Sequence, residues 1–223
     1  VNKKILLKSK SSDTLFILGS GPSINSVTNT QWDFIKKHDT FGLNLFFLKK
    51  FPTTYYYLGY EPSSNDEIYS CLNDNDNIRL ILSESILFLP TKVIYRMYHP
   101  KIVPEIFPAC PKIHLFRYPK SYISIYNNTD NFTKEMFNKT ILYRGTMSLG
   151  LYFADKLEYK NIVMMGVDLH SFKHFYDDNS SLIKFRSSAY NNLKPSSTFE
   201  DLLPKNASKQ KSLYEYYTSL NEI

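Results

Sequence analysis

Apolar and polar positions along the first half of the chain form blocks that predict strands separated by helices. The stretch "TLFILG" (14–19) is a short apolar run ending at glycine, which is typical of a buried strand. The next block, "SVTNTQWDFIKKH" (26–38), has its apolar residues at helical spacing, and Asn25 or Ser26 is the expected N-cap. The apolar residues of that predicted helix are Val27, Trp32, Phe34 and Ile35. Three more blocks predict strands: "DTFGLNLFFL" (39–48), "TTYYYLGY" (53–60) and "NIRLILSES" (77–85).

The second half begins irregularly and then returns to the same alternation. Residues 87–138 hold six of the eleven prolines, so we expect an irregular insertion or lid there. The stretch "TMSLGLYFADKLEY" (146–159) has helical spacing, and "KNIVMMGVDL" (160–169) is a strongly apolar strand. After Tyr176 the chain is polar until "KQKSLYEYYTSLNEI" (209–223), which predicts a terminal helix.

Helices that repeatedly follow strands predict an α/β fold, with a mostly parallel sheet and helices on both faces. We therefore expect one Rossmann-like domain over 1–223, with 87–138 as a small irregular lid within it. Ligands of such sheets bind beyond the carboxyl ends of the strands. Polar residues at these predicted ends should share one rim: Gly19, Ser20, Gly21, Asn44, Glu61, Asp168 and His170.

The composition narrows the classes of protein. A net charge of +6 without an arginine-rich run or a zinc-finger spacing disfavours nucleic acid, whereas an anionic substrate or an anionic membrane surface fits. The first residues lack the apolar core of a secretory signal, and no apolar window is long enough to span a membrane. Cys71 and Cys110 are expected to be reduced thiols, which suits a cytoplasmic protein. The first residue is Val1 rather than Met, so the sequence leaves open that it belongs to a longer chain.

The glycine turn "GSGPS" (19–23) resembles a phosphate-binding turn only in part. Its Gly-x-Gly lacks the third glycine of the dinucleotide fingerprint, since residue 24 is Ile, and no Gly-Lys-Ser/Thr follows as in a P-loop. Small residues at a strand end can direct backbone N–H groups to a phosphate. They can equally form a tight turn, and the motif alone leaves both readings open.

A second group of polar residues lies between Tyr143 and Tyr176. Arg144 and Thr146 precede a predicted helix, and Asp168, His170 and His174 follow a predicted strand. An Asp and two His with a nearby Tyr suit acid–base chemistry on a phosphate-bearing substrate. The spacing differs from HExxH and the cysteines lie elsewhere, so we expect no metal; a solvated histidine loop stays open as the alternative.

Three blocks together resemble the bacterial lipooligosaccharide sialyltransferases of glycosyltransferase family 42, and the wider group of transferases that use CMP-activated ulosonic acids, including Kdo. The blocks are "ILGSGPSIN" (17–25), "FGLNLFF" (41–47) and the segment from Tyr143 to Tyr176. They cover about a third of the chain in the right order, and the last block is the most specific. The resemblance implies a Rossmann-like domain with a small lid that takes a CMP-sugar donor as substrate, without metal or other cofactor.

The resemblance also implies roles for individual residues. Gly19, Ser20 and Gly21 would meet the phosphate and ribose, and Asn44 would contact the nucleotide. The run Arg144, Gly145, Thr146 and Met147 would pass the cytidine and sugar, and Asp168 and Leu169 would lie beside the cytidine. His170 and Tyr176 fall on the two tyrosine positions that hydrogen-bond the departing phosphate.

Several positions depart from the family pattern. Ser20 stands where the family has Asn, Met147 where it has Ser, and Glu61 where it has Asn. The catalytic His of the family follows the second tyrosine, and no His follows His174 here. The candidates for the acceptor proton are therefore His174, His170 and Glu61, while Tyr176, His170 and Arg144 would stabilise the leaving phosphate. A carboxylate under the anomeric carbon, from Glu61 or Asp168, would instead allow a covalent double displacement with retention.

The leading hypothesis is transfer of a CMP-activated ulosonic acid to a surface glycan or glycolipid, by a protein peripheral to the inner membrane face. Two other readings stay open. One is a pterin-diphosphokinase-like or flagellin-glycosylation-accessory protein, which shares the Gly-x-Gly-Pro-Ser turn and the Gly-x-Asp strand end. The other is a non-catalytic Rossmann-like module of a larger glycosyltransferase. Homo-oligomerisation is also left open by the sequence.

Overall fold

A computed structural model describes residues 3–58, 80, 82–90, 113–116, 146–168, 173–179 and 181–182. Within these residues the centre of the fold is a six-stranded sheet with every neighbouring pair parallel, in the order β5-β4-β3-β2-β1-β6. The strands are β1 (Thr14–Leu18), β2 (Asp39–Leu43), β3 (Tyr55–Tyr57), β4 (Ile86–Pro90), β5 (Ile113–Phe116) and β6 (Asn161–Met165). The described helices are α1 (Lys3–Ser9), α2 (Asn29–Ile35) and α3 (Thr146–Lys156), with 3₁₀ segments at Pro22–Ser26 and Asn44–Lys49. The predicted α/β class with a parallel sheet is confirmed.

Successive residues of the buried strands supply two separate cores because side chains alternate between the faces of a sheet. On one face, Phe16 and Leu18 of β1 belong to a cluster with Trp32 and Ile35 of α2. On the other face, Leu15 and Ile17 pack in a second cluster that contains residues of α1 and α3. Helices therefore cover both faces of the described sheet.

The N-cap of helix α2 lies two to three residues after the positions predicted for it. Thr28 is the N-cap: its Oγ1 accepts from the Gln31 amide at 3.3 Å, and the Gln31 side chain accepts from the Thr28 amide at 2.8 Å. Asn25 has a different function, since its Nδ2 donates to the Phe175 carbonyl at 2.8 Å. The prediction of Asn25 or Ser26 as the cap was wrong, because a complete capping box lies just downstream.

Two predicted strand boundaries were also wrong. The block 39–48 is a strand only to Leu43, because Asn44 turns the chain with φ of 53° into a 3₁₀ segment. The block 77–85 is not the fourth strand: residues 80 and 82–84 are helical, and β4 follows at Ile86–Pro90.

The expected irregular insertion at 87–138 contains part of the central sheet. Both β4 and β5 lie in or overlap that range and extend the sheet beyond β3. The prediction of an irregular segment was therefore wrong at these two strands. The rest of 87–138 and the predicted terminal helix at 209–223 lie outside the described residues.

A buried polar cluster joins elements at the opposite end of the sheet from the carboxyl ends of the strands. Asp39, the first residue of β2, is 1% exposed. Its carboxylate accepts from the amide and hydroxyl of Ser11, the amide of Ser12 and the hydroxyl of Tyr159, at 2.6–3.0 Å. The Tyr159 hydroxyl also lies 3.2 Å from the Tyr55 hydroxyl. Because these groups come from distant parts of the chain, the cluster ties the α1–β1 connection and the α3–β6 connection to the sheet.

None of the helices in the described part of the chain is long and apolar enough to cross a membrane.

Candidate functional site

The order of the strands places a topological switch between β1 and β6. From β1 the chain builds the sheet in one direction through β2, β3, β4 and β5, and then returns to add β6 on the other side of β1. In open parallel sheets, ligands bind in the crevice outside the carboxyl ends of the strands at such a point. The turn after β1 (residues 19–23) and the turn after β6 (residues 166–168) meet at this switch.

These two turns are hydrogen-bonded to each other. The Gly19 amide donates to the Met165 carbonyl and the Gly21 amide to the Gly166 carbonyl, each at 2.8 Å. Asp168 completes the connection, since its Oδ2 accepts from the Ser23 amide at 2.9 Å. A Cβ added at Gly21 would collide with this carboxylate, so the close approach requires glycine.

Backbone amides of the glycine turn, which are the groups that would bind a phosphate, already have acceptors within the chain. The Gly19 amide donates to the last residue of β6 and the Gly21 amide to Gly166 just after it, and a carboxylate already lies at the start of the 3₁₀ segment 22–26. The described contacts therefore form a tight turn, which is one of the two structures that the motif left open. A contact between the turn and a ligand stays a prediction; Ser20, at the middle of the turn, is half-buried.

The segment 173–179 is anchored to the glycine turn. The Phe175 amide donates to the Ser20 carbonyl at 2.8 Å, and the Phe175 carbonyl accepts from Asn25 at the same distance. The ring of Phe175 is buried in the α2 face of the core. This anchoring places the neighbouring His174 and Tyr176 beside the switch between β1 and β6.

His174 has two neighbours of catalytic interest. Its ring stacks on Tyr176, with centroids 4.9 Å apart and planes 14° from parallel. Its Nδ1 lies 3.6 Å from Oδ2 of Asp177, whose side chain is only 5% exposed, and the same oxygen accepts from the His174 amide at 2.9 Å. At this separation the imidazole and the carboxylate are in charge contact without a hydrogen bond between Nδ1 and Oδ2. Tyr176 is 2% exposed and belongs to the core, so its ring is a support for His174.

A second polar pair lies one strand further along the same edge. Asn44 follows β2, and its Nδ2 donates to Oγ1 of Thr146, the first residue of α3, at 2.7 Å. Both residues are half-buried, so each is partly open at the edge. The pair joins positions 102 residues apart; the rim predicted from the strand ends included Asn44 but not Thr146.

The predicted site residues therefore fall into three groups. Gly19, Ser20, Gly21 and Asp168 meet at the switch; His174 and Tyr176 stack beside it; Asn44 and Thr146 bond to each other. Met147 is half-buried and packs against the core on the α3 face of the sheet. The remaining predicted residues lie outside the described part of the chain: Glu61, Arg144, Gly145, Leu169 and His170.

Two residues of the site were missed from the sequence. Asp177 follows His174 by three positions, a spacing that could have suggested an imidazole–carboxylate pair. Tyr56, which bonds the backbone of Asn44, gave no signal because it lies in the middle of three consecutive tyrosines.

Within the described ranges no group of three or more His, Cys, Asp or Glu is arranged to hold a metal ion. No protein-family model, curated protein or solved structure matches the chain.

Proposed function

We propose that the protein is a glycosyltransferase that moves a CMP-activated ulosonic acid, such as sialic acid or Kdo, onto a glycan or glycolipid. The observation that carries the proposal is the position of the His174–Asp177 pair. The bond between Phe175 and Ser20 holds the segment that carries His174 and Asp177 next to the β1–β6 switch, and ligands of parallel sheets bind at such switches. The resemblance of the three sequence blocks adds the identity of the donor.

The nucleotide end of the donor would lie along the edge formed by β6, β1 and β2. Adjacent strands are about 4.8 Å apart, so Ser20 and the Asn44–Thr146 pair lie within the length of one nucleotide. Asn44, Thr146 and Ser20 offer amide and hydroxyl groups that suit ribose and phosphate oxygens. Stabilisation of the departing phosphate by Arg144 and His170 belongs to the same proposal, whereas the buried Tyr176 would support the His174 ring and would not contact the phosphate.

The proton of the acceptor hydroxyl would go to His174. CMP is a good leaving group, so the bond from the anomeric carbon to the phosphate oxygen breaks as the acceptor oxygen attacks. The imidazole takes the proton of that oxygen, and the nearby Asp177 carboxylate stabilises the resulting cation. His174 would thus replace the histidine that the family carries after its second tyrosine. His170 and Glu61 are the other proposed groups for this step.

The class of the sugar acceptor is proposed from the net charge of the chain. An excess of six positive charges suits an anionic donor and a glycolipid acceptor at an anionic membrane surface. Peripheral association with the inner membrane face therefore forms part of the proposal. The electrostatic attraction from this excess of positive charge extends over a few Debye lengths at most, so added salt should weaken the association with the membrane.

A thermal-shift screen of cytidine, uridine, guanosine and adenosine nucleotides, with and without Mg²⁺, tests the proposal. A ligand at a hundred times its Kd stabilises the native state by about 2.7 kcal/mol, or roughly 5–10 °C for a chain of this size. We expect a shift with CMP that does not require Mg²⁺. A shift with ATP and Mg²⁺ alone would support the diphosphokinase-like alternative. No shift with any nucleotide would contradict the proposed function and favour a non-catalytic module.

A further inference from the structure

The phenol of Tyr56 closes the turn that follows β2. Its hydroxyl donates to the Asn44 carbonyl at 2.6 Å and accepts from the Phe47 amide at 2.7 Å. The side chain is completely buried in the core on the α2 face of the sheet. A single hydroxyl group thus holds both ends of the first turn of the 3₁₀ segment.

The turn that it closes begins at a residue with an uncommon backbone conformation. Asn44 has φ of 53°, in the left-handed region that L-residues other than glycine seldom adopt, although asparagine does so more readily than most. This conformation ends β2 and starts the 3₁₀ segment in which Leu45, Phe46 and Phe47 are buried. From this backbone, the Asn44 side chain reaches Thr146 at the start of α3.

Gly42 makes room for the tyrosine. Gly42 and Tyr56 are register partners in the β2–β3 ladder. A Cβ added at Gly42 would lie 2.6 Å from Cε2 of Tyr56, which is far inside van der Waals contact. Because Gly42 has no side chain, the tyrosine ring can lie against β2 and bring its hydroxyl to Asn44, two residues further along.

We propose that Tyr56 is a positioning residue that holds the Asn44 amide against Thr146 and so fixes this polar pair for contact with a ligand. Tyr56 is fully buried and acts through Asn44, whereas Asn44 and Thr146 are both partly open at the edge. The positioning concerns the chain itself; only its effect on CMP rests on the proposed function. One connected series of contacts runs from the interior of the sheet to its edge, through Gly42, Tyr56, Asn44 and Thr146.

The test compares Tyr56→Phe with Tyr55→Phe in the full chain. Both changes remove one buried phenol oxygen and keep the ring, and the two residues are adjacent in β3. Tyr55 points to the other face, where its hydroxyl contacts Ser9 and Tyr159 at the opposite end of the sheet. Tyr55→Phe therefore controls for the general cost of losing a buried hydroxyl group.

The first readout needs no ligand. The two side-chain N–H protons of Asn44, assigned in ¹H–¹⁵N spectra by their loss in Asn44→Asp, report whether the amide is held. We expect their exchange with water to accelerate at least tenfold in Tyr56→Phe and to stay unchanged in Tyr55→Phe. Unchanged exchange in a folded Tyr56→Phe variant would overturn the positioning of Asn44. Should that variant fail to fold, Gly42→Ala displaces the same ring and must then accelerate the same exchange; unchanged exchange there would overturn the proposal.

The second readout is affinity for CMP. Loss of one well-formed hydrogen bond at the site corresponds to about a tenfold weaker Kd. We expect that loss in Tyr56→Phe and in Thr146→Val, and no further loss in the double variant, because both changes release the same amide. Additive losses would overturn the shared role. If the wild-type chain binds no CMP, the proposed function fails, while the exchange of the Asn44 protons still decides the positioning.

Discussion

The carboxylate of Asp168, beyond the end of β6, accepts a hydrogen bond from the backbone amide of Ser23, beyond the end of β1. The two residues are 145 positions apart in sequence, and their bond lies at the switch of the sheet. Asp168 thus caps the 3₁₀ segment 22–26 and joins the two turns between which a ligand would enter. A carboxylate suits this place because it accepts from an amide at the positive end of a helical segment.

Asp168→Ala should lower the free energy of unfolding by about 1 kcal/mol, because it leaves the Ser23 amide without its acceptor. Asp168→Asn keeps an acceptor oxygen and should cost less than half as much. Urea unfolding of the two variants and the wild type measures the difference. Equal stability of Asp168→Ala and the wild type would mean that this hydrogen bond does not hold the turns together.

The capping box at Thr28 predicts that this residue stabilises the start of α2. Thr28→Ala removes a side-chain acceptor from the Gln31 amide and should cost about 1 kcal/mol of stability. Ser26→Ala is the matched control, because the Ser26 hydroxyl contacts only the exposed end of the preceding 3₁₀ segment among the described residues, through the Ser23 carbonyl. It should change stability by less than about 0.5 kcal/mol. A larger loss of stability in Ser26→Ala than in Thr28→Ala would contradict this assignment. It would indicate that Ser26 is the N-cap of α2, as the sequence pattern alone suggested.

Buried tyrosines predict a loss of stability in alkali. Burial raises the pKa of Tyr159, and the hydrogen-bonded Tyr55 and Asp39 raise it further; burial also raises the pKa of Tyr55 and of Tyr152. A raised pKa in the folded state means that the unfolded chain loses its phenolic protons first as the pH rises. The stability from each tyrosine is therefore fully present below about pH 10 and decreases above it, by up to about 1.4 kcal/mol per pH unit.

Chemical unfolding between pH 8 and pH 11.5 measures this dependence. We expect a shallow curve to about pH 9.5 and a steep fall above it, and Tyr159→Phe should make the fall less steep. A slope in Tyr159→Phe equal to that of the wild type would show that Tyr159 ionises equally in both states.

The strength of hydrophobic patterns explains what the sequence could predict. The apolar runs of β1 and β6 and the helical spacing of α3 identified those elements, and β1 and α3 each bury a continuous stripe or face. The spacing also assigned Asn44 and Asp168 to one edge, since parallel strands bring their carboxyl ends together, but it did not assign Thr146, which begins a helix, to that edge. By contrast, Leu80 and Leu82 follow an apolar pattern that is compatible with a strand and yet are helical.

Contacts between residues that are distant in sequence are what the hydrophobic pattern could not predict. At the end of β2 the hydroxyl of Tyr56 donates to the carbonyl of a left-handed Asn44, and no local pattern reports such a bond. The buried Asp39 is likewise unremarkable in sequence, because its partners Ser11 and Tyr159 are brought to it only by the fold. The strand β6 is strongly apolar in sequence, and yet Ile162, Val163 and Met164 are 37–47% exposed at the edge of the described sheet.

Turnover of the donor by wild type and His174→Gln tests the central claim most directly. CMP release and sugar transfer would be measured with CMP-Neu5Ac and with CMP-Kdo, on glycan acceptors, beside binding of CMP alone. We expect turnover with one donor, a loss of about 10²–10⁴-fold in kcat in His174→Gln, and an unchanged Kd for CMP. Asp177→Asn should lower kcat as well, and Asp178→Asn, an adjacent carboxylate whose side chain is 71% exposed, should not. Wild-type protein that binds CMP but turns over neither donor, or His174→Gln with full activity, would contradict the account.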